Sequence, residues 1–191
     1  MILALLLLDL SQSTPLRDLL SPEHVIERVS RCGLGRPGYR YDEEAQTGVI
    51  VVRGGRRASD AQLACVDKAA PFFEVRSSPA LQGRFNAIRD ARLEAYFKGQ
   101  GRAWLSAHGL IDRLPEYRRG DDAAFARALE RLCGPEASGA FHAVNGGYSF
   151  NPEWLRRQGP RRFEEGAGAC LTYAMMASGF PLGLVGNEAK P

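Results

Sequence analysis

Four cysteines constrain the fold of this chain more than any other feature of its sequence. They stand at Cys32, Cys65, Cys133 and Cys170, without the C-x-x-C spacing or the neighbouring histidine of a zinc site. An even number of widely spaced cysteines is typical of a disulfide framework formed in an oxidising compartment. Of the three pairings that are open, we favour Cys32 with Cys65 and Cys133 with Cys170. Each would close a loop of roughly thirty to forty residues and contribute about 3.5 to 4 kcal/mol of stability. Four reduced, buried thiols in a cytosolic protein are the alternative.

The N-terminus begins with an apolar run that soon turns polar. Residues 1–8 are all apolar, and residues 9–15 are mostly polar. The run is shorter than the roughly 20 residues that span a bilayer, so we expect no transmembrane span. It also lacks the basic n-region and the small-residue cleavage site of a secretory signal. We predict that residues 1–14 are a truncated signal segment whose true start lies upstream, and that the protein is periplasmic or secreted. The alternative is the first core helix of a cytoplasmic protein.

The composition excludes a disordered chain. Hydrophobic residues make up 45% of the sequence and charged residues 25%, with a formal net charge of only +3. Such a chain can bury a hydrophobic core. Its 191 residues are the length of one ordinary domain. We therefore predict a single globular domain over residues 15–191.

Residues 22–70 are predicted to form an α-β-β-α unit. A helix begins at Ser21-Pro22-Glu23, because Ser is a preferred N-cap and Pro fits the first helical position. Two β-rich segments, 39–41 and 48–53, then indicate a hairpin. The sequence Ser59-Asp60-Ala61-Gln62 has the spacing of a capping box, which starts a second helix. The first favoured disulfide would join these two helices across the hairpin.

Residues 78–179 are predicted to be helical, followed by a tail or strand at 180–191. Ser78-Pro79 begins the longest helix, and Asp121 or Asp122 caps the next one. We also expect a short helix at 137–143, another that begins at Asn151-Pro152-Glu153, and a final helix at 166–178. The final helix is apolar nearly all round, which favours a buried position over a partner-binding one. Together the elements predict a mainly helical α+β fold, with helices packed around a short β-hairpin and stapled by disulfides.

No motif in the sequence is specific for a reaction, and we predict no cofactor and no metal site. The glycine patterns of phosphate-binding loops and the common hydrolase signatures are missing. The histidines are scattered singly, and we expect His24 and His108 to be exposed. A nucleophilic set of Cys133, His142 and Asn145 is a minor hypothesis beside a disulfide-bonded cysteine.

One stretch of the chain concentrates arginines beside aromatic residues. Arg156, Arg157, Arg161 and Arg162 lie close to Trp154, and Arg53, Arg56 and Arg57 form a lesser group. Arginines with aromatics can bind nucleic acid or anionic lipid through phosphate contacts and stacking. Two glutamates follow at once, however, so a solvated surface is favoured.

Adjacent acidic residues occur at 43–44, 121–122 and 164–165. A general acid and a general base need different pKa values, which adjacent carboxylates seldom have, so we do not expect these pairs to be catalytic.

Two stretches resemble parts of a known group of proteins. Arg31-Cys32-Gly33-Leu34 and the segment 58–66, with the sequence ASDAQLACV, are similar to parts of small uncharacterised exported proteins of alphaproteobacteria. The likeness covers about the first third of the chain. It implies an exported compartment and a disulfide, and it supplies no catalytic residue.

The leading functional hypothesis is therefore a non-catalytic periplasmic or secreted domain, serving as a binding or envelope accessory module. Its partner is unknown, and a protein partner is one option. One alternative is a small hydrolase or other enzyme with an unrecognised site. Another is a weak nucleic-acid or membrane-surface binder that uses the arginine-rich region 156–162.

Overall fold

The computed structural model describes residues 21–53, 58–144 and 147–181. The predicted signal segment at 1–14 and the predicted tail beyond Pro181 lie outside the described residues. The chain divides into two compact units, Met1–Ala91 and Arg92–Pro191, each with its own hydrophobic core. The assignment of 15–191 to one domain stays a prediction. Over the described part of the chain, no helix is both long and apolar enough to cross a membrane.

The first unit combines two short helices, three strands and the beginning of a long helix. Its elements are α1 (Pro22–Ser30), β1 (Gly38–Asp42), β2 (Thr47–Val51), α2 (Asp60–Ala69), β3 (Glu74–Arg76) and α3 (Pro79–Ala107), and the boundary between the units falls within α3. The predicted capping box opens α2: Ser59 Oγ accepts from the Gln62 N–H at 3.2 Å, and Gln62 Oε1 accepts from the Ser59 N–H at 3.0 Å. The helices α1 and α3 also begin where the sequence predicted, at Pro22 and Pro79, although the Ser21 side chain makes no capping bond.

The three strands form one sheet in the order β1-β2-β3. The predicted antiparallel hairpin of β1 and β2 is confirmed, whereas the parallel pairing of β3 with β2 was not predicted. Side chains of directly opposed residues share a face of the sheet. Ile50 pairs with Val75 on the face that packs into the core. Val51 pairs with Arg76 on the opposite face, which also carries Arg40 of β1.

A buried ion pair fastens α3 to the end of α2. The Asp67 side chain is 1% exposed, and its Oδ1 accepts from Arg89 Nε at 2.8 Å. The same guanidinium donates to the backbone oxygens of Ala70 (3.2 Å) and Phe73 (3.3 Å), and it lies 4.7 Å from the centre of the Phe85 ring. Carbonyl groups at a helix C-terminus lack partners within the helix, and Arg89 supplies one there.

The second unit contains the rest of α3 and five further elements. These are α4 (Asp122–Leu132), β4 (Phe141–Val144), β5 (Gly147–Phe150), α5 (Pro152–Glu165) and α6 (Ala167–Ser178). Asn151 caps α5 as predicted, because its Oδ1 accepts from the Glu153 N–H at 2.9 Å. The predicted burial of the final helix, α6, is also confirmed. It ends at Gly179, which takes the left-handed conformation with φ of 72°.

The prediction of a short helix at 137–143 is wrong. A short 3₁₀ turn at Pro135–Ala137 is followed by the antiparallel hairpin of β4 and β5. The missed signal is Asn145-Gly146, a dipeptide that favours a two-residue hairpin turn. These two residues lie outside the described part of the chain.

The long helix α3 and the final helix α6 approach each other closely at Gly101. A Cβ atom on Gly101 would lie 2.5 Å from the backbone oxygen of Tyr173 and 2.5 Å from the backbone nitrogen of Ala177. Real Cβ atoms do not come so near to backbone atoms, so only glycine fits between the two helices. The close packing of α6 against α3 around Tyr173 and Ala177 therefore depends on Gly101.

Each unit contains one disulfide, in the pairing that the sequence favoured. Cys32, just after α1, is bonded to Cys65 of α2. Cys133, at the end of α4, is bonded to Cys170 of α6. The mainly helical, disulfide-stapled α+β fold class is thereby confirmed.

Candidate functional site

Charged side chains cross the face of the first unit's sheet that points away from the core. Arg76 on β3 reaches over β2, so that its Nη2 donates to Asp42 Oδ2 on β1 at 2.8 Å. Its Nε and Nη2 also donate to Glu74 on its own strand. Two carboxylates thus orient the Arg76 guanidinium, and its Nη1 has no partner within the described residues.

Asp42 is held in its charged form by its neighbours. The backbone N–H of Ala45 donates to Asp42 Oδ1 at 3.1 Å, and this bond, followed by the one from Arg76, holds the pKa of Asp42 below its usual range. A carboxylate in this state keeps its bond to Arg76 over the whole neutral range.

An open cavity of about 560 Å³ lies beside this network. Its lining, which defines the arginine cavity, consists of Arg40, Val51, Val52, Arg53, Arg76, Ser77 and Ser78. Arg40 and Arg53 are exposed and make no ion pair with any described residue. Two unpaired guanidinium groups and one oriented by carboxylates therefore face the same space.

A second cavity, of about 730 Å³, runs along β3 and the first turns of α3. Its lining, which defines the edge groove, consists of Glu74, Val75, Arg76, Ser77, Pro79, Gln82, Asn86 and Arg89. Arg76 and Ser77 also line the arginine cavity, so the two cavities adjoin at the carboxyl end of β3.

The side chain of Gln82 closes the outer edge of β3 inside this groove. Its Nε2 donates to the Val75 carbonyl at 2.9 Å, and its Oε1 accepts from the Ser77 N–H at 2.8 Å. The backbone of Arg76, between them, faces the other way, because its carbonyl accepts from the N–H of Val52, the residue after β2, at 2.8 Å. A single residue of a neighbouring parallel strand would use the same pair of groups, a carbonyl and the N–H two residues later.

The chemistry of the arginine cavity is that of an anion receptor. Guanidinium groups present fixed forks of N–H donors, which match carboxylate and phosphate oxygens. The hydroxyl group of Ser78 adds a further donor, and Val51 and Val52 form an apolar wall. The lining therefore suits a small anionic group attached to a less polar body.

The second unit also has a cavity with arginines, but its character differs. This space of about 660 Å³ is lined by Arg127, Glu130, Arg131, Gly134, Pro135 and Ser138. Its carboxylate is structural, because Glu130 Oε1 accepts from the Phe141 N–H at 3.0 Å. A negative group inside the cavity opposes the entry of an anion, so the arginine cavity is the stronger candidate.

The residues that the sequence offered for nucleophilic chemistry are not assembled. Cys133 is bonded to Cys170 and has no free thiol, so the nucleophilic set is wrong. His142 is half-buried on β4, and Asn145 lies outside the described residues. His24 and His108 are exposed, as predicted.

The acidic pairs serve local structure. Asp121 stands at the N-cap position of α4 but its side chain makes no capping bond, and Asp122 accepts from the Tyr117 hydroxyl at 2.8 Å. Burial and this carboxylate raise the pKa of Tyr117. Residues 43 and 44 are exposed in the turn between β1 and β2, and Glu165 pairs with Arg161 at 3.5 Å.

Trp154, which the sequence suggested as an aromatic side chain for stacking beside the arginine-rich region 156–162, is buried. Trp154 is 1% exposed, and its Nε1 donates to the backbone oxygen of Glu136 at 2.9 Å. It is therefore not available to stack on a base. Arg156 pairs with Glu153 at 3.9 Å on the surface.

Comparison with models of protein families, with curated proteins and with solved structures finds no match. In the described ranges, no cluster of three or more His, Cys, Asp or Glu side chains is arranged to hold a metal ion. Sequence reasoning noted Arg53 and missed Arg40 and Arg76. The alternation of Arg40 and Asp42 along a β-rich segment was the available signal, because residues two apart in a strand share a face.

Proposed function

We propose that this protein is a non-catalytic binding module of the periplasm or the extracellular space, and that it captures an anionic group in the arginine cavity. The observation that carries the proposal is the convergence of Arg40, Arg53 and Arg76 on one open cavity, with two of the three unpaired. Unpaired guanidinium groups that share a cavity repel one another and gain from a shared anion.

Two features support the compartment. Disulfides form and persist where the surroundings are oxidising, and each compact unit carries one. The resemblance of segments 31–34 and 58–66 to exported bacterial proteins points the same way. Alkylation of the non-reduced protein followed by mass spectrometry tests this part, and four alkylated cysteines would contradict it.

The binding of simple anions tests the site itself. We expect inorganic phosphate to bind with a Kd on the order of 1 mM, because water and salt screen exposed guanidinium groups. In two-dimensional NMR, the amide signals of Ser77 and Ser78 should shift with phosphate concentration. Arg53→Gln should weaken binding by about fivefold, or about 1 kcal/mol.

The matched control is Arg36→Gln, which removes the same charge from the same unit. Arg36 is exposed and lies outside the lining of the arginine cavity. Equal losses for Arg36→Gln and Arg53→Gln would show that net charge alone attracts the anion, and the proposed site would be abandoned.

A further inference from the structure

Resting on the proposed function, we infer that the anionic group is the terminal carboxylate of an extended polypeptide, which adds to β3 as a parallel strand in the edge groove. The inference joins two observations within the first unit. One is the position of the arginine cavity at the carboxyl end of β3, and the other is the pattern of hydrogen bonds that Gln82 makes with the strand.

The first step concerns which backbone groups of β3 are available. Parallel pairing occupies Arg76 on the side of β2. Val75 and Ser77 direct a carbonyl and an N–H to the other side, where the partner of both is the carboxamide of Gln82. Exposed strand edges are templates for another strand, and natural proteins cover them. Here the cover is made by side chains of α3 rather than by a strand: Gln82 bonds Val75 and Ser77, and Arg89 bonds the Phe73 carbonyl.

The second step concerns direction. A carbonyl and the N–H two residues later are the groups that one residue of a parallel neighbour engages, whereas a closely paired antiparallel neighbour uses both groups of the same residue. A parallel addition to β3 places the carboxyl end of the added strand at the carboxyl end of β3. Arg76 and Ser77, which line both cavities, stand at that end.

The third step concerns charge. A polypeptide that ends in the arginine cavity brings a carboxylate to Arg40 and Arg53, neither of which makes an ion pair with a described residue, although Arg40 lies near enough to Asp42 to help lower its pKa. Addition of a strand to a sheet edge together with capture of a terminal carboxylate is a recognised physical mode of peptide binding. The Gln82 carboxamide would leave the edge when the peptide backbone takes over its two bonds.

The test uses a library of hexapeptides with free C-terminal carboxylates and a copy of the library with C-terminal amides, titrated into the full disulfide-bonded chain. We expect the carboxylate library to yield binders and their amidated forms to bind at least tenfold more weakly. Arg53→Gln should weaken binding by about fivefold, whereas Arg36→Gln should leave it within twofold.

Gln82→Ala separates the strand-addition mechanism from a simple carboxylate contact. Removing the internal competitor should strengthen peptide binding by several-fold, and this gain should exceed any change in phosphate binding that follows from freeing Ser77. Gln100→Ala, which alters an exposed glutamine of the same helix outside the edge groove, is the control and should change neither.

The outcomes distinguish the two proposals. Phosphate binding that depends on Arg53, without any peptide that prefers a free carboxylate, would overturn the inference and leave the anion site standing. Equal binding of amidated and carboxylate peptides would also overturn it. Failure of both phosphate and peptides to bind would remove the proposed function as well.

Discussion

The ion pair between Asp67 and Arg89 gives the sharpest test of how the first unit is held together. The substitution Arg89→Met keeps most of the side-chain stem and removes the guanidinium. It removes the cation that donates to Asp67 Oδ1, a carboxylate oxygen of a side chain that is 1% exposed, and it frees the backbone oxygens of Ala70 and Phe73. Breaking a buried pair on one side costs about 3 to 5 kcal/mol, because the remaining charge stays desolvated. We expect a loss of stability in that range.

Urea denaturation followed by far-ultraviolet circular dichroism measures this loss. The matched control is Arg84→Met on the same helix, because Arg84 pairs with Asp60 at the surface, where the two side chains are 43% and 74% exposed. An exposed pair contributes about 0 to 1 kcal/mol. The double variant Asp67→Asn/Arg89→Met should recover part of the loss, since no full charge is then buried. Equal costs for Arg89→Met and Arg84→Met would refute the reasoning.

Three further predictions concern other parts of the molecule. Replacing Cys133 and Cys170 together by Ala opens a loop with a sequence separation of 37 and should lower the free energy of unfolding by about 3.8 kcal/mol in the chain-entropy model, and a denaturation midpoint equal to that of the parent would contradict this. Gly99→Ala should stabilise α3 by about 0.5 to 1 kcal/mol, because a Cβ atom at this position would contact no neighbouring atom. Gly101→Ala should lower the melting temperature, because its Cβ would clash with the backbone of α6, and a higher melting temperature for Gly101→Ala than for Gly99→Ala would show that α6 does not pack as described. The folded pKa of Asp42 is depressed, so the stability that this carboxylate contributes is present above the unfolded value of about 3.9 and is lost as the pH falls through the folded pKa. Asp42→Asn should therefore make the free energy of unfolding less dependent on pH below about pH 4, and identical pH dependence in the variant and the parent would contradict this.

Much of the fold could be predicted because its signals are local. The capping box at Ser59 and the Pro starts of α1, α3 and α5 lie within four residues of the structure they specify. The favoured pairing, one of three open to the sequence, joined cysteines that are consecutive along the chain, and the structure has that pairing. The strand β3 escaped prediction because it has only three residues, and its pairing with β2 depends on a partner more than twenty positions away. No short window of sequence carries that information.

The candidate site was hidden for the same reason. Arg40 and Arg76 lie on β1 and β3, and Arg53 lies two residues after the end of β2, so the three form a group only after β3 has joined the sheet in parallel. The sequence instead drew attention to the adjacent arginines of 156–162, because they are neighbours in the chain. In the structure that region is broken by a non-helical residue, Gly159, which separates two helical pieces, and the neighbouring Trp154 is turned into the core.

The two edges of the sheet are protected in different ways, and the difference bears on function. On β1, the charged residues Arg40 and Asp42 lie on the edge strand, and charges on an edge strand oppose the addition of another strand. On β3, the outward groups are satisfied by Gln82 through two neutral hydrogen bonds, each of which contributes only about 0.5 to 1.5 kcal/mol net. A polypeptide backbone makes the same two bonds, so the exchange costs mainly the further bonds of Gln82 to Ser77 Oγ and Asn86 Oδ1. The carboxylate at Arg53 and Arg40 then decides whether the exchange is favourable. An edge that is closed against aggregation by such weak bonds is also an edge that a correctly charged ligand can open.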